Sequence, residues 1–299
     1  MGFDRTDYKD SFRSKTERAV FGRPRNNDEN FGVYRRVAVA QATNPEVARL
    51  CQDGGVATTL LLTALDRGLI DSALITVADD EKPLYPVPAL AMTSTQILAA
   101  AGSKYTCSKN PLTLASEASD QGKTNVALVG MPCHIMTLRR QQIAEPAKSR
   151  FVKLSIGLMC SGCFRHELIT EFIQQKLGID SRGIVKMNIK GKLLITTKAG
   201  TISVPLSEIN SYKAPGCGGC IDFSSELADI SVGGLGLEGW SFVVIRSERG
   251  EELFSIAEKA KLLRVKAVNE EDSSLKRLVQ LSLKKRQKIK GKSERRKAS

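Results

Sequence analysis

Residues 125–142 read NVALVGMPCHIMTLRRQQ, and this stretch decides the fold. Asn125–Val129 is a short apolar run, the pattern of a strand buried on both faces. It ends in Gly130-Met131-Pro132-Cys133, and Met131–Gln142 then reads as a helix. A buried strand that turns straight into a helix is the repeating unit of α/β proteins.

The pattern recurs on both sides. Downstream, Val152–Leu158 reads as a strand ending at Cys160, and His166–Leu177 as a helix. Upstream, Gly54–Leu69 has helical spacing at Val56, Leu60, Leu61, Ala64, Leu65 and Leu69, and Ala73–Ala78 reads as a buried strand. Thr95–Ala101 and Pro111–Ala118 read as helices, the first with Ser94 as its cap. β-rich and helical runs begin to alternate near Val37. Residues 1–35 read as an irregular leader.

Three short strands follow, Val185–Ile189, Leu193–Thr197 and Ile202–Val204. Lys190-Gly191 and Ala199-Gly200 join them as a β-meander. Ile230–Val232 and Ser241–Ile245 read as strands, Glu251–Lys259 as a helix, Leu263–Val268 as a strand. A last helix begins near Asp272. The expected fold class is α/β (mixed α+β): helix-covered mixed sheets, a small meander lobe and a basic C-terminal tail. The expected divisions are 1–35, 36–120, 121–275 and 276–299.

The net charge of +13 is unevenly placed. From Lys276 to Ser299 there are eleven Lys or Arg and one acid, Glu294. The rest carries 34 basic and 31 acidic residues, only +3. The charge therefore belongs to the tail, which makes nucleic acid an unlikely partner for the fold itself. No stretch reaches the roughly 18 to 20 apolar residues of a membrane span. The charged N-terminus lacks an apolar signal core, so the expected location is cytoplasmic.

Seven cysteines in such a chain argue against a disulfide framework and for metal-binding or catalytic thiols. Cys160-Ser-Gly-Cys163 and Cys217-Gly-Gly-Cys220 are CxxC pairs, and Cys133 closes a strand. Such thiols suit an iron–sulfur cluster, a tetrahedral zinc or a redox pair, and spacing leaves all three open. Cys133 and Cys160 both lie at strand ends, where ligands gather in α/β sheets. Cys51 and Cys107 read as buried or half-buried thiols. His134, beside Cys133, and His166, in the first turn of a helix, are the only histidines.

Three glycine-bearing segments suit a phosphate or a flavin edge. Asp53-Gly54-Gly55 opens a helix, whose N-terminus favours an anion. Gly102-Ser103-Lys104-Tyr105 offers a hydroxyl, a cation and a ring. Gly233-Gly234-Leu235-Gly236 follows a strand. Each also has a plain reading as a turn, a surface triplet or a bulge.

Taken together, the chain resembles the beta-subunit family of coenzyme F420 hydrogenases and dehydrogenases over roughly residues 36–270. The resemblance rests on Cys51-Gln-Asp-Gly-Gly-Val-Ala-Thr-Thr-Leu-Leu, on Gly130-Met-Pro-Cys-His with Ile156-Gly-Leu-Met-Cys160, and above all on Cys217-Gly-Gly-Cys-Ile-Asp-Phe-Ser-Ser-Glu-Leu-Ala-Asp-Ile-Ser-Val-Gly-Gly-Leu-Gly236. It implies an iron–sulfur flavoprotein with one 4Fe-4S cluster, one FAD and a site for coenzyme F420, an 8-hydroxy-5-deazaflavin. Such a chain is an F420-dependent oxidoreductase: hydride passes between F420 and FAD, and single electrons between FAD and the cluster. Residues 36–120 are then the N-terminal part of the flavin and deazaflavin domain, and 121–275 the part with the cluster ligands.

By the same resemblance Cys133, Cys160, Cys217 and Cys220 are the ligands, with Cys163 as the substitute for Cys160. Asp53, Gly54, Gly55, Thr58, Ser103, Lys104 and Tyr105 are the flavin-site candidates, and Gly233 and Gly236 weaker ones. The chain departs at Cys51, where relatives more often have serine, and at His134, where they often have glutamine. It lacks the run of cysteines that makes a two-cluster ferredoxin module in many members. Its expected partners are therefore separate redox subunits: a hydrogenase, a dehydrogenase or a ferredoxin-like iron–sulfur protein. Two other functions compete. One is a ferredoxin-dependent reductase of another substrate in the same family, as in plant chlorophyll-cycle relatives. The other is a zinc-stabilised nucleic-acid binder, which predicts a colourless protein with salt-sensitive affinity.

Overall fold

The computed structural model describes residues 5–82 and 84–297, and side chains over 12–82 and 84–287. Helix α1 (Arg5–Phe21) leads to strand β1 (Arg36–Ala42), then α2 (Pro45–Leu50), α3 (Val56–Asp66), β2 (Ser72–Ala78), β3 (Pro86–Ala91) and α4 (Ser94–Ala99). A 3-10 turn, Pro111–Leu114, runs into α5 (Ala115–Asp120), followed by β4 (Val126–Gly130), α6 (Pro132–Ala144) and β5 (Val152–Leu158). A π-helix at Leu168–Lys176 precedes the meander β6 (Ile184–Ile189), β7 (Lys192–Thr197) and β8 (Gly200–Pro205) and the short α7 (Leu206–Ile209). The chain ends with β9 (Ile230–Gly233), β10 (Ser241–Ile245), α8 (Glu248–Lys259), β11 (Leu263–Ala267) and α9 (Ser273–Lys297).

Eight strands make one mixed sheet in the order β11-β1-β10-β9-β5-β4-β2-β3. Its middle, β2-β4-β5-β9, is parallel. β10, β1 and β11 continue one side as antiparallel neighbours, and β3 closes the other antiparallel to β2. Alternate residues along each strand serve opposite faces. Ala127, Val243 and Ile245 pack with Val56, Leu60, Ala64 of α3 and Leu253, Phe254, Ala257 of α8. On the other face Val126 and Leu128 meet Ile135 and Leu138 of α6, while Phe242 and Val244 meet Leu278 of α9. Both faces are thus covered by helices, which explains why the central strands read as unbroken apolar runs.

The meander is a separate three-stranded antiparallel sheet with its own core. Phe172 and Ile173 of the π-helix pack on Met187, Leu193, Ile195 and Val204. Among the described residues no helix is long and apolar enough to cross a membrane.

Several sequence expectations are corrected. The leader contains a 17-residue helix, α1, although residues 1–4 lie outside the described part. Its composition is polar, so burial of a polar face by ion pairs, rather than an apolar stripe, must hold it. The cap of α4 is Thr93, not Ser94: Thr93 and Gln96 form a reciprocal capping box. The run His166–Leu177 holds a π-helix, Leu168–Lys176, rather than an α-helix, and Pro111–Ala118 splits where its 3-10 turn widens into α5. The seven cysteines do include a disulfide, Cys107–Cys163, with Cα atoms 5.5 Å apart. A backbone bridge aligns them: Cys107 N donates to Phe164 O at 2.8 Å, and Phe164 N to Tyr105 O at 3.0 Å.

The two ends of the chain meet on one buried carboxylate. Glu226, in the loop before β9, accepts from Arg13 of α1, from Arg25 at 2.6 Å and from Arg286 of α9 at 2.5 Å. Asp222 sits 3.6 Å from Arg13. Part of the segment read as a basic tail is therefore an anchor. The side chains beyond Gln287 lie outside the described residues.

Candidate functional site

The carboxyl ends of β4, β5 and β9 lie side by side, because these strands are parallel neighbours. Cys133 follows β4, Cys160 follows β5, and Gly233-Gly234 end β9. Asp53–Gly55 reach the same edge from another direction. Gly54 O accepts from Ala42 N at 2.7 Å, and Gly54 N donates to Ser241 Oγ at 3.1 Å. Ala40 pairs with Ser241 at that end of β1 and β10. This is where open α/β sheets bind ligands.

Gly55 has φ +70°, a left-handed conformation that suits glycine, and precedes α3 with no side chain capping the helix. Asp53 lies over Gly234: a Cβ on Gly234 would collide with the Asp53 carboxylate. Burial raises the Asp53 pKa, while Lys190 and Lys186 of the meander lobe pull it down. Lys186 Nζ donates to the carbonyls of Cys51 and Gln52, at 3.4 and 3.2 Å. Thr58 is buried and 3.3 Å from the Cys51 sulfur. Sequence reading missed Lys186 and Lys190; nothing in the meander's own pattern shows that it leans on the Asp53 turn.

Tyr105 faces the same lobe, its hydroxyl 3.3 Å from Asn188 Oδ1, and burial pushes its pKa up to about 12. Ser103 is exposed. Lys104 turns back instead, donating to Ala100 O at 2.5 Å and to Ala101 O and Gly102 O, each at 3.3 Å. Its ammonium thus serves the carbonyl end of α4, where a cation is favourable, and burial lowers its pKa to about 8. Gly233 belongs with the thiols: a Cβ there would be 2.7 Å from Met159, the neighbour of Cys160. Gly236 is exposed, at φ +86°.

The thiols come near one another from three segments. Cys133 and Cys160 each lie within electrostatic reach of Cys217, and Cys133 of Cys220 as well. Cys217 Sγ accepts from Cys163 N at 3.4 Å and lies 3.7 Å from Cys163 Sγ. Cys220 Sγ contacts Asp222 O at 3.4 Å. Cys160 N donates to Phe223 O at 2.9 Å, which ties the end of β5 to the loop after Cys220. Burial pushes the Cys160 thiol up to about 11, and the Lys285 ammonium pulls the other way. His134 is buried and turned under Gly130, and burial alone lowers its pKa to about 4. Among the described residues no three His, Cys, Asp or Glu side chains converge as one metal ion would require.

Gly54 is the position least tolerant of a side chain here. A Cβ would stand 2.5 Å from both Ala40 O and Ser241 N, and 2.9 Å from Trp240 C, all backbone of β1 or the entry to β10. Strand backbones cannot rotate away, so Gly54→Ala is expected to cost about 1–3 kcal/mol. Urea unfolding of the two chains measures this; equal midpoints would show that the strands give way freely.

Known proteins bear directly on this arrangement. The family described as coenzyme F420 hydrogenase/dehydrogenase, beta subunit, matches in both its parts: the N-terminal part over residues 37–115 and the C-terminal part over residues 123–271. The chain is 37% identical to the coenzyme F420 hydrogenase subunit beta of Methanothermobacter thermautotrophicus, covering 86% of this chain and 93% of that one. It is 32% identical to the coenzyme F420 hydrogenase subunit beta of Methanosarcina barkeri, covering 81% of this chain and 85% of that one. A chain from the structure of the F420-reducing [NiFe] hydrogenase complex of Methanosarcina barkeri superposes with a TM-score of 0.85 at 33% identity, over 92% of this chain and 96% of that one.

Proposed function

The chain belongs to the coenzyme F420 hydrogenase/dehydrogenase beta-subunit family, and we propose that it is an iron–sulfur flavoprotein subunit linking coenzyme F420 to a partner redox subunit. The observation that carries this reading is the sharing of one sheet edge by two kinds of group. Cys133 and Cys160 follow the ends of β4 and β5, with Cys217 and Cys220 within electrostatic reach of Cys133, and Asp53 meets Gly234 at the end of the neighbouring β9.

The thiol set suits a cluster: Cys133, Cys160, Cys217 and Cys220 are all free thiols. A 4Fe-4S cluster takes four cysteines. The bond between Cys163 and Cys107 supports Cys160 as the ligand from that loop. The flavin candidates suit FAD: the uncapped start of α3 behind Gly54-Gly55 offers backbone N–H groups to a phosphate. Lys186 and Lys190, from the lobe, add positive charge on that side.

When bound, FAD exchanges a hydride with the deazaflavin and the cluster carries single electrons, so the hard chemistry is the cofactors'. The chain's own residues bind and orient. Asp53 and Gly234 close the turn against β9, and Tyr105 and Asn188 fix the lobe against the segment that carries Ser103. Met159 packs in the space Gly233 leaves, which holds the Cys160 loop against the end of β9. Partner redox subunits fit the names of the relatives, which are themselves subunits of a hydrogenase.

The test is an anoxic assay on chain reconstituted with iron, sulfide and FAD, supplied with reduced F420 and a viologen acceptor. Viologen reduction is the expected result. Bound flavin and cluster without turnover would transfer the substrate to the other reductases of the family, and failure to bind either would sink the reading.

A further inference from the structure

The helix that carries the basic tail is part of the site. α9 packs against the Pro215–Gly219 turn that holds Cys217. Its Leu275, Leu278 and Val279 share a core with Met159, next to Cys160, and with Phe223, just past Cys220. Arg286 is pinned to Glu226 at 2.5 Å, which fixes the next turn of the helix over the same loop. Between these contacts Lys285 points inward. It is 8% exposed, and its Nζ donates to Cys160 O at 2.5 Å.

A buried ammonium is costly unless it is hydrogen-bonded and has a negative neighbour. The carbonyl of Cys160 satisfies only the first need. A metal–sulfur centre on four thiolates is anionic and supplies the second. Reduction adds one more negative charge to it, and a fixed cation in a poorly screened interior stabilises the reduced form more than the oxidised one. Charge and hydrogen bonding around the sulfurs are among the factors that set cluster potentials.

Resting on the iron–sulfur reading above, we propose that α9 is a wall of the cluster site and that Lys285, through the Cys160 carbonyl, is a positioning residue that also raises the cluster's reduction potential. Arg286 and Glu226 hold the helix in register for this, so the root of the basic segment has an electrostatic task.

Two variants of the full reconstituted chain test it, Lys285→Met and Lys285→Arg. Three readouts serve: iron and acid-labile sulfide per chain, the midpoint potential from an EPR-monitored redox titration, and thermal unfolding. Lys285→Met is expected to keep its iron and to titrate at a lower potential. A tenfold change in the one-electron equilibrium is a shift of about 59 mV. Lys285→Arg is expected to return the midpoint toward wild type. Iron lost from Lys285→Met but kept in Lys285→Arg also supports the charge. The proposal is overturned by a wild-type midpoint in Lys285→Met, by an equal shift in both variants, or by loss of iron from both. A wild-type chain that takes up no cluster overturns the parent reading instead, and this one with it.

Discussion

Glu226→Gln is expected to remove about 3–5 kcal/mol of stability, the usual cost of breaking a buried ion pair from one side. The Glu226 side chain is fully buried, and its two oxygens are shared among Arg13, Arg25 and Arg286. Glutamine keeps the shape and removes the charge the three guanidiniums share, leaving Arg25 with Glu17 and Arg13 with the more distant Asp222. Against a typical total of about 5–15 kcal/mol this is a large fraction. Urea unfolding at neutral pH gives the number directly, and a loss below about 1 kcal/mol would show that water reaches the guanidiniums.

The same group sets an acid dependence. Burial by itself would raise the Glu226 pKa, but Arg13, Arg25 and Arg286 hold the carboxyl far below its ordinary 4.5. A depressed pKa in the folded state gives stability that is complete above the unfolded value and lost as pH falls below it toward the folded one. Wild type is therefore expected to weaken as pH drops below about 4.5, while Glu226→Gln lacks this component. Asp222 has the opposite sign, since burial and the Glu226 charge raise its pKa. It opposes the decline, which is why the comparison with Glu226→Gln, and not the wild-type curve alone, tests the assignment. Parallel stability curves for the two chains between pH 6 and pH 3 would refute the assignment.

Cys217→Ala is expected to abolish the iron–sulfur absorbance and to lower viologen-linked turnover by at least ~100-fold, the upper end of what weaker perturbations of metal sites cost. Cys217 lies on a tight turn against Cys163, within reach of Cys133 and Cys160. No other thiol of that turn can take its place, because Cys220 already has its own position three residues on. FAD binding should survive, since Asp53–Thr58 and Ser103–Tyr105 are on separate segments. Cys163→Ala is the contrast: with Cys163 joined to Cys107, its removal should spare the iron. A Cys217→Ala chain with full iron and turnover would dismiss the ligand set.

Much of this architecture can be read from the chain alone, and the misses have physical causes. β4 and β5 are legible because strands in a parallel core are apolar on both faces. The meander is legible because Lys190-Gly191 and Ala199-Gly200 mark its turns. β3 is not, since Pro86 and Pro88 argue against a strand. It escapes that rule by lying at the edge of the sheet, where missing donors cost nothing. α1 is illegible for another reason: its support is Arg13 and Glu17 reaching Glu226 and Arg25, partners set by the tertiary fold. Leu168, Ile169, Phe172 and Ile173 fall on one face of an α-helix as well as of a π-helix, so over two turns Leu168–Lys176 could not be told apart. At the site, clustered cysteines and paired glycines announce themselves. Lys186, Glu226 and Lys285 are ordinary charged residues until folding places them.

The position of β1 has a consequence in time. It is the first strand made, yet both its neighbours, β10 and β11, come from the far end of the chain, with Arg36 opposite Ile245. At synthesis rates of about 5–20 residues per second, β1 waits roughly 10–40 s for a partner. α1 waits similarly for Glu226, and α9 follows β11. Nascent β1 is an open edge during that interval, a natural client for a chaperone. Closure of the sheet, docking of α1 and α9 and seating of the Cys217 turn against α9 then occur together.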